Sequence, residues 1–540
     1  MPTSDPHAHL STHEVLNQPV PPAGRDLWAG DPVLRHWCDV AGAPGDTLAG
    51  AGARLGGAAL FEAGREARRD TPRLVPFDRT GRRLDEVHFA PAYHQLMGAA
   101  RAEGYTALPW EGAPGGHAGH AALVYMLSQV EPGICCPLTM TYAAHPAMAA
   151  TPALAAIWQP RLAARDHDPA TLPAAGKSAV TLGMAMTEKQ GGSDVRANTT
   201  QAVREGDHYR LTGHKWFCSA PMSDGFLTLA QAPEGLTCFL VPRWLEGTRN
   251  TLRLQRLKDK LGNRANASAE IEYDNTLAYR LGEEGAGVKV IIEMVHHTRL
   301  DTALAPAGLM RAALAEAAWW AGSRRVFQKT LIDQPLMAAL LADLALDQEG
   351  ATALGMAAAA AFDGVGAEDR AFARIAVALA KYLSNKLCPL VIVEAMEVLG
   401  GMGYVEETPM PMLYREAPLN GIWEGSGNVI CLDILRSLHR DPAGAEALMT
   451  RLRAAKGADR HFDAALDDHL QRWPKGPTEA EARWFAESLA QLLAAAELIR
   501  HAPAAVADGY CATRLGAPRG RLAGATGGLD SAALLARLTG

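Results

Sequence analysis

The chain has 540 residues, 48% of them hydrophobic and 21% charged, which suits a globular protein of several packed domains. A formal net charge of -7 excludes nucleic-acid binding by bulk electrostatics, so any such binding would need a local basic patch. The eight cysteines are scattered except for Cys135-Cys136, with no CxxC pair. Neither a zinc ribbon nor a disulfide framework is expected, no metal site is predicted, and a reducing cytoplasm fits.

The polar, proline-rich start, MPTSDPHAHLSTHEVLNQPVPPAG, has no apolar segment of the kind a secretory signal needs. The alanine-rich run at Ala357–Phe362 is too short to span a bilayer. Residues 1–180 read as an extended arm and a mainly helical domain, with helical spacing at His94–Ala102 and Ala121–Val130. Residues 181–285 read as strands. Apolar and polar residues alternate in Tyr209-Arg210-Leu211 and in Ala269-Glu270-Ile271-Glu272-Tyr273, and turns such as Glu205-Gly206-Asp207 separate the pieces. A small antiparallel barrel or sandwich is expected. Helical periodicity returns over residues 286–440: a helix from Val288 to Phe327 interrupted at Pro306 and Gly308, then Gln334–Phe362 and Ala371–Leu399, together a bundle. Residues 441–540 add a helical extension, with a Gly/Arg-bearing loop before a short last helix.

Four segments carry chemistry. In WEGSGN, Glu424 lies between Trp423 and Gly425, and desolvation by an indole raises a carboxylate's proton affinity, as a general base requires. Alone, it is equally a solvent-facing glutamate at a helix corner. The turn Gly191-Gly192-Ser193-Asp194 offers backbone N–H groups to an anion such as a pyrophosphate, and Thr187 nearby can address a planar heterocycle. Without a ligand it is a plain β-turn. In GHKWFCSAP, strand geometry puts Phe217 and Ser219 on one face and Trp216 on the other, for a ligand or for the core. Arg324-Arg325-Val326-Phe327 ends a helix with a cation for a phosphate and a ring for stacking; a solvated helix end reads the same.

In this order the segments resemble the acyl-CoA dehydrogenase superfamily. AMTEKQGGSDVRA, from Ala185 to Ala197, satisfies its first signature. EVLGGMGY, from Glu397 to Tyr404, opens the second, which is met at Glu407 and departs at Met412, where Lys or Arg is usual. TEKQGGSDVRANTT, RLKDKLGNRANAS, LYREAP, IWEGSGN, NQPVP and KGADRHFD are similar to its AidB-type alkylation-response branch. The resemblance implies an α+β, mainly α fold: N-terminal helical domain, middle antiparallel β-domain, C-terminal helical bundle and an extra C-terminal helical domain.

It also implies FAD, bound by Met184, Ala185, Met186, Thr187, Gly191, Gly192 and Ser193, with Phe217, Cys218 and Ser219 beside the isoalloxazine and Ser219 near N5. Arg324 and Phe327 would reach the pyrophosphate and adenine end. The segment Ile422–Leu432 would close over the cofactor through Ile422, Trp423, Gly425, Ser426, Gly427, Asn428 and Leu432. Gly400 and Gly401 would touch the cofactor of a neighbouring subunit in a homo-oligomer, usually a tetramer. Glu424 falls on the catalytic base and Arg299 on the acyl-CoA contact helix, while His296 and Gln328 depart from the usual acid and glycine.

Two functions follow from the resemblance. One is a FAD-containing, DNA-binding and DNA-protecting protein of the adaptive response to alkylation, with weak dehydrogenase activity on short branched acyl-CoA such as isovaleryl-CoA. The other is an ordinary short- or branched-chain acyl-CoA dehydrogenase with no DNA role. A duplex-DNA surface in the extension would draw on Arg436, Arg440, Arg451, Arg453, Lys456, Arg514, Arg519 and Arg521. A helical capping or tetramerisation domain is the other reading of the extension.

Overall fold

The computed structural model describes residues 6–516 and 520–539. An arm without helices leads into a helical unit from Pro32–Val40 to Pro152–Leu162. A hairpin of β1 (Arg73–Phe77) and β2 (Arg83–His88), absent from the helical expectation, interrupts it. Every residue of the helix Gly116–Leu127 is buried, His117 and His120 included, so it shows no amphipathic stripe.

The middle unit carries β3 (Leu182–Ala185), β4 (Gln201–Glu205), β5 (His208–Ser219), β6 (Gly225–Ala232), β7 (Gly235–Pro242), β8 (Trp244–Leu245), β9 (Thr248–Arg249), β10 (Leu252–Leu257) and β11 (Ser268–Leu281). The main sheet runs β10-β11-β5-β4-β6-β3, and β7 joins β6 to β11, so five strands close a ring around Leu211, Phe226, Phe239 and Ile271. The sheet is mixed rather than antiparallel, because β3 and β4 each meet β6 in parallel. A second expectation also fails here. Lys215 pairs with Ile271 and Cys218 with Ala269, so two residues, Trp216 and Phe217, oppose the single Glu270. This β-bulge turns both rings outward while Lys215 and Cys218 both stay buried.

The long helices Gly287–Ser323, Pro335–Asp363 and Ala367–Val398 form the bundle. The first is continuous, contrary to the break expected at Pro306 and Gly308. Proline frees the carbonyl of Thr302, four residues back, and Asn385 of the neighbouring helix donates its Nδ2 to that oxygen at 2.8 Å. Gly308 serves close packing: a Cβ there would stand 2.3 Å from the Tyr125 carbonyl oxygen. Ala367–Val398 is long and apolar enough to cross a membrane, but most of it is buried in the bundle. Beyond Asp441 the helices Pro442–Ala455, Ala482–His501, Ala504–Tyr510 and Ser531–Thr539 pack onto the same bundle, and Arg460–Arg472 packs against Ala482–His501.

Candidate active site

Glu424 sits in the loop that precedes the helix Gly427–Arg440. It is in the left-handed region (φ 59°), followed by Gly425 at φ 101°, so a residue with a side chain bears a strain of about 1–2 kcal/mol. The surroundings hold it there. Lys381 Nζ donates to Asn420 O (2.6 Å) and Trp423 O (2.9 Å), and Trp423 Nε1 donates to Asn420 Oδ1 (2.7 Å). Arg299 Nε donates to the Glu424 carbonyl (3.3 Å), and its Nη1 pairs with Asp433 at 2.6 Å. The carboxylate itself accepts from Thr298 Oγ1 at 2.7 Å. Burial raises its proton affinity, while Thr298, Lys381 and Arg299 work against that rise.

Opposite lies a cradle built from the β-unit. Ala185 points inward between half-buried Met184 and Met186, as alternation along an extended segment requires, and Thr187, beyond the strand end, is half-buried too. The turn that follows is anchored from below. Glu188 is fully buried, accepts from Thr199 N, Thr200 Oγ1 and Lys215 Nζ (2.7, 2.6 and 2.8 Å), and is held well below the usual carboxylate range. Thr187 O accepts from Trp216 N at 2.8 Å, which ties the turn to the bulge. The bulge leaves Phe217 48% exposed with half-buried Ser219 on the same face, so a ring and a hydroxyl look out together. Met184, Met186 and Trp423 pack against one apolar cluster, and buried Cys136 feels both the Ser219 hydroxyl and the Glu424 charge. Cradle and Glu424 therefore face a common space.

Residues 17–169 match the adaptive-response protein AidB N-terminal domain, 183–276 the acyl-CoA dehydrogenase middle domain, and 285–439 the acyl-CoA dehydrogenase C-terminal domain. AidB of Escherichia coli (strain K12) is 43% identical over 518 residues, covering 94% of this chain and 95% of that protein. The chain belongs to the acyl-CoA dehydrogenase family, in its AidB-like branch. Acyl-CoA dehydrogenase family member 11 of Caenorhabditis elegans is 33% identical over 403 residues, 69% of this chain and 63% of that protein. Among solved structures, C. elegans ACDH-11 in complex with C11-CoA superposes with a TM-score of 0.83 at 28% identity, covering 95% of this chain and 93% of that one.

Members of the family use FAD. The residues present fit a flavin: an outward ring at Phe217, the half-buried Met184, Met186 and Thr187, and a hydroxyl at Ser219, facing a helix start at Gly427 whose first turn carries no acid. Ile422 and Asn428 are exposed and Leu432 is half-buried along that segment. Asn428 Oδ1 accepts from Arg483 of the extension at 3.0 Å.

Of the other predicted cofactor residues, Gly400, Gly401 and Phe327 lie on the open surface and Arg324 is half-buried. Gly400 and Gly401 are exposed, with nothing within 4 Å of an added Cβ. Arg324 caps its helix, stacks over Trp320 and donates to Asn17 O and Gln18 Oε1 of the arm, both at 3.2 Å. Beyond it β12 (Arg325–Val326) and β13 (Lys329–Thr330) pair around a two-residue turn, Phe327-Gln328, with φ 50° and 67°. That strained turn holds Phe327 90% exposed. Arg299, predicted for substrate, spends its guanidinium on Asp433 and the Glu424 carbonyl.

The proposed DNA arginines are mostly paired within the chain. Arg514 is buried between Asp343 and Asp347, which removes it from any DNA surface because a group desolvated and paired this way cannot reach a phosphate. Arg451 pairs with Glu497 and covers the Phe372 ring, Arg453 pairs with Glu446, Lys456 with Asp467, and Arg436 with Asp433. Arg440 and Arg521 are exposed; Arg519 lies outside the described residues. A separate cleft of about 600 Å³, between the arm, the helix Ala58–Arg69 and the segment 406–416, contains none of the predicted flavin residues. Its arginines Arg25, Arg68 and Arg415 are matched by Glu316, Glu131 and Glu406.

Sequence reasoning singled out Glu424 and the cradle residues but not Thr298, Lys381, Asp433 and Glu188, which the structure places around them. One signal was available: Lys381 is a lone cation in the apolar stretch IAVALAKYL.

Proposed function

We propose that the protein dehydrogenates a short, branched acyl thioester, such as isovaleryl-CoA, with Glu424 as the base. The observation that carries this reading is a half-buried carboxylate, oriented by Thr298 at 2.7 Å, facing a flavin-shaped cradle. Ionised Glu424 takes the α-proton: its oxygen forms the O–H bond as the Cα–H bond breaks, and that electron pair becomes the Cα=Cβ double bond. FAD, when bound, supplies the two-electron sink for the β-hydride. Thr298 keeps the receiving oxygen in place, Lys381 and Arg299 keep the loop fixed, and Trp423 excludes water beside the base.

A thioester substrate is supported by the family and by the C11-CoA held in the related ACDH-11 structure. A short acyl group is supported by packed rings around the apolar cluster that Trp423 joins. Trp110 stacks on His145 (4.4 Å) and His296 on Phe362 (4.4 Å), the His120 and Tyr142 rings lie tilted at 3.7 Å, and burial pushes His296 down to about 3, so it is neutral. The exposed Phe327 and Gly400 support an oligomer, a tetramer as is usual in the family, in which a second copy completes the cofactor site. The test is anaerobic bleaching of the flavin absorbance near about 450 nm by isovaleryl-CoA. Bleaching by the wild type and its loss in Glu424→Gln are expected; equal bleaching by both would remove Glu424 from the reaction.

The second reading, association with duplex DNA in the response to alkylation, is supported by the 43% identity to E. coli AidB and by the N-terminal match. The pairing of most extension arginines implies weak binding at best. A duplex mobility shift compared at about 50 and about 200 mM salt decides it: no shift at the lower salt rejects this reading.

A further inference from the structure

The segment carrying Glu424 is held at three carbonyls by two buried cations, and the two are not equivalent. Arg299 holds the Glu424 carbonyl and has a carboxylate of its own, Asp433 at 2.6 Å. Lys381 is 1% exposed, in the middle of the apolar helix Ala367–Val398. Two of its three N–H groups go to Asn420 O and Trp423 O, at 2.6 and 2.9 Å. Among the described residues, no carboxylate lies within ion-pair distance of it, and the anion that acts on it most is Glu424.

A buried ammonium is a costly way to satisfy two carbonyls, since a neutral amide would donate to both without desolvating a charge. The charge therefore needs a use, and Glu424 supplies it. We propose that Lys381 is the positioning residue of the base: its ammonium fastens the Asn420–Trp423 main chain so that Glu424 keeps its left-handed backbone, and its charge keeps the Glu424 carboxylate ionisable in a desolvated site. This rests on Glu424 being the base.

Facing Glu424 are Lys381 from the helix Ala367–Val398, Thr298, Arg299 and Asp301 from Gly287–Ser323, and Cys136 from Pro132–Met148. Facing Lys381 are Glu424, Arg299 and, on its own helix, Lys386. Burial pushes Lys381 down to about 7 and Glu424 up, and each one's charge opposes the other's shift. Without the ammonium, the nearest remaining cation is Arg299, already engaged by Asp433, so Glu424 binds its proton more tightly and ionises only at higher pH.

The experiment uses full-length, FAD-loaded protein. The rate of flavin bleaching by isovaleryl-CoA is followed from about pH 5 to about pH 9 in wild type, Lys381→Met and Lys381→Arg. In Lys381→Met the acidic limb should move up by about one unit or more, about ten-fold in rate on the acid side. Lys381→Arg, which keeps the charge, should return the limb toward its wild-type position. An infrared pH titration of the Glu424 carboxyl band, assigned by its loss in Glu424→Gln, reads the same shift without turnover. A protein that turns over no acyl-CoA would thus end the dehydrogenase reading and still test Lys381. Superimposable Glu424 titrations in wild type and Lys381→Met, with flavin absorbance retained, would overturn the proposal. If Lys381→Met does not fold, Lys381→Gln keeps donors for the carbonyls without the charge: a shifted titration supports the proposal and an unshifted one overturns it.

Discussion

Glu416 offers a stability measurement that needs no substrate. It is 4% exposed, accepts the backbone N–H of Asn263 and lies beside Glu131, itself buried and paired with Arg68 at 2.5 Å. Burial first, then the charge of Glu131, pushes the Glu416 carboxyl up to about 7. In the unfolded chain the same group titrates near about 4.3. Between those values the folded state keeps a proton that the unfolded state has released, so stability falls as pH rises through that window and stays lower above it. The gap between the two corresponds to about 3.5 kcal/mol as a ceiling, since neighbours relax. Glu416→Gln keeps an oxygen for Asn263 and can never ionise. In denaturant unfolding at about pH 8 the variant should be more stable than wild type by about 2 kcal/mol or more, with the difference vanishing near about pH 4. Equal stability at about pH 8 would refute the reasoning, because Glu416 would then be ionised and well paired in the folded protein.

Three other substitutions probe the site and its frame. Thr298→Val removes the donor to Glu424 Oε2, raises the proton affinity of the base and should lower flavin bleaching by isovaleryl-CoA about ten-fold near neutral pH; a pH–rate profile unchanged from wild type would count against that hydrogen bond. Arg299→Met leaves Asp433 with only the longer contacts to Arg374 (3.8 Å) and Arg436 (3.7 Å), and should cost about 2–3 kcal/mol in denaturant unfolding. Gln328→Gly relieves a side chain held at φ 67° and should stabilise the β12–β13 hairpin by about 1 kcal/mol, read as slower hydrogen exchange there.

How much of the site was legible depended on how local its physics is. WEGSGN, TEKQGGSD and KWFCSA are contiguous segments, and their turns and glycine positions are set by neighbours a few residues away. The bulge in β5 escaped because it depends on the register against β11, where one residue of the partner opposes two. The break expected at Pro306 was wrong for a similar reason. The carbonyl that proline frees is satisfied by Asn385, 83 positions distant from Thr302.

By itself the sequence determined the order of helical, strand and helical units and the turns and glycines of the segments that carry Glu424 and the cradle, because periodicity and turn geometry are short-range. Only the tertiary structure decided what surrounds Glu424: Thr298 from 126 positions away, Lys381 on the helix Ala367–Val398, and Arg299 drawn off to Asp433. It also decided that the arginines of the extension largely face carboxylates. The reason is that proton affinity and ion pairing depend on burial and on charges a few ångströms off in space, whichever part of the chain supplies them.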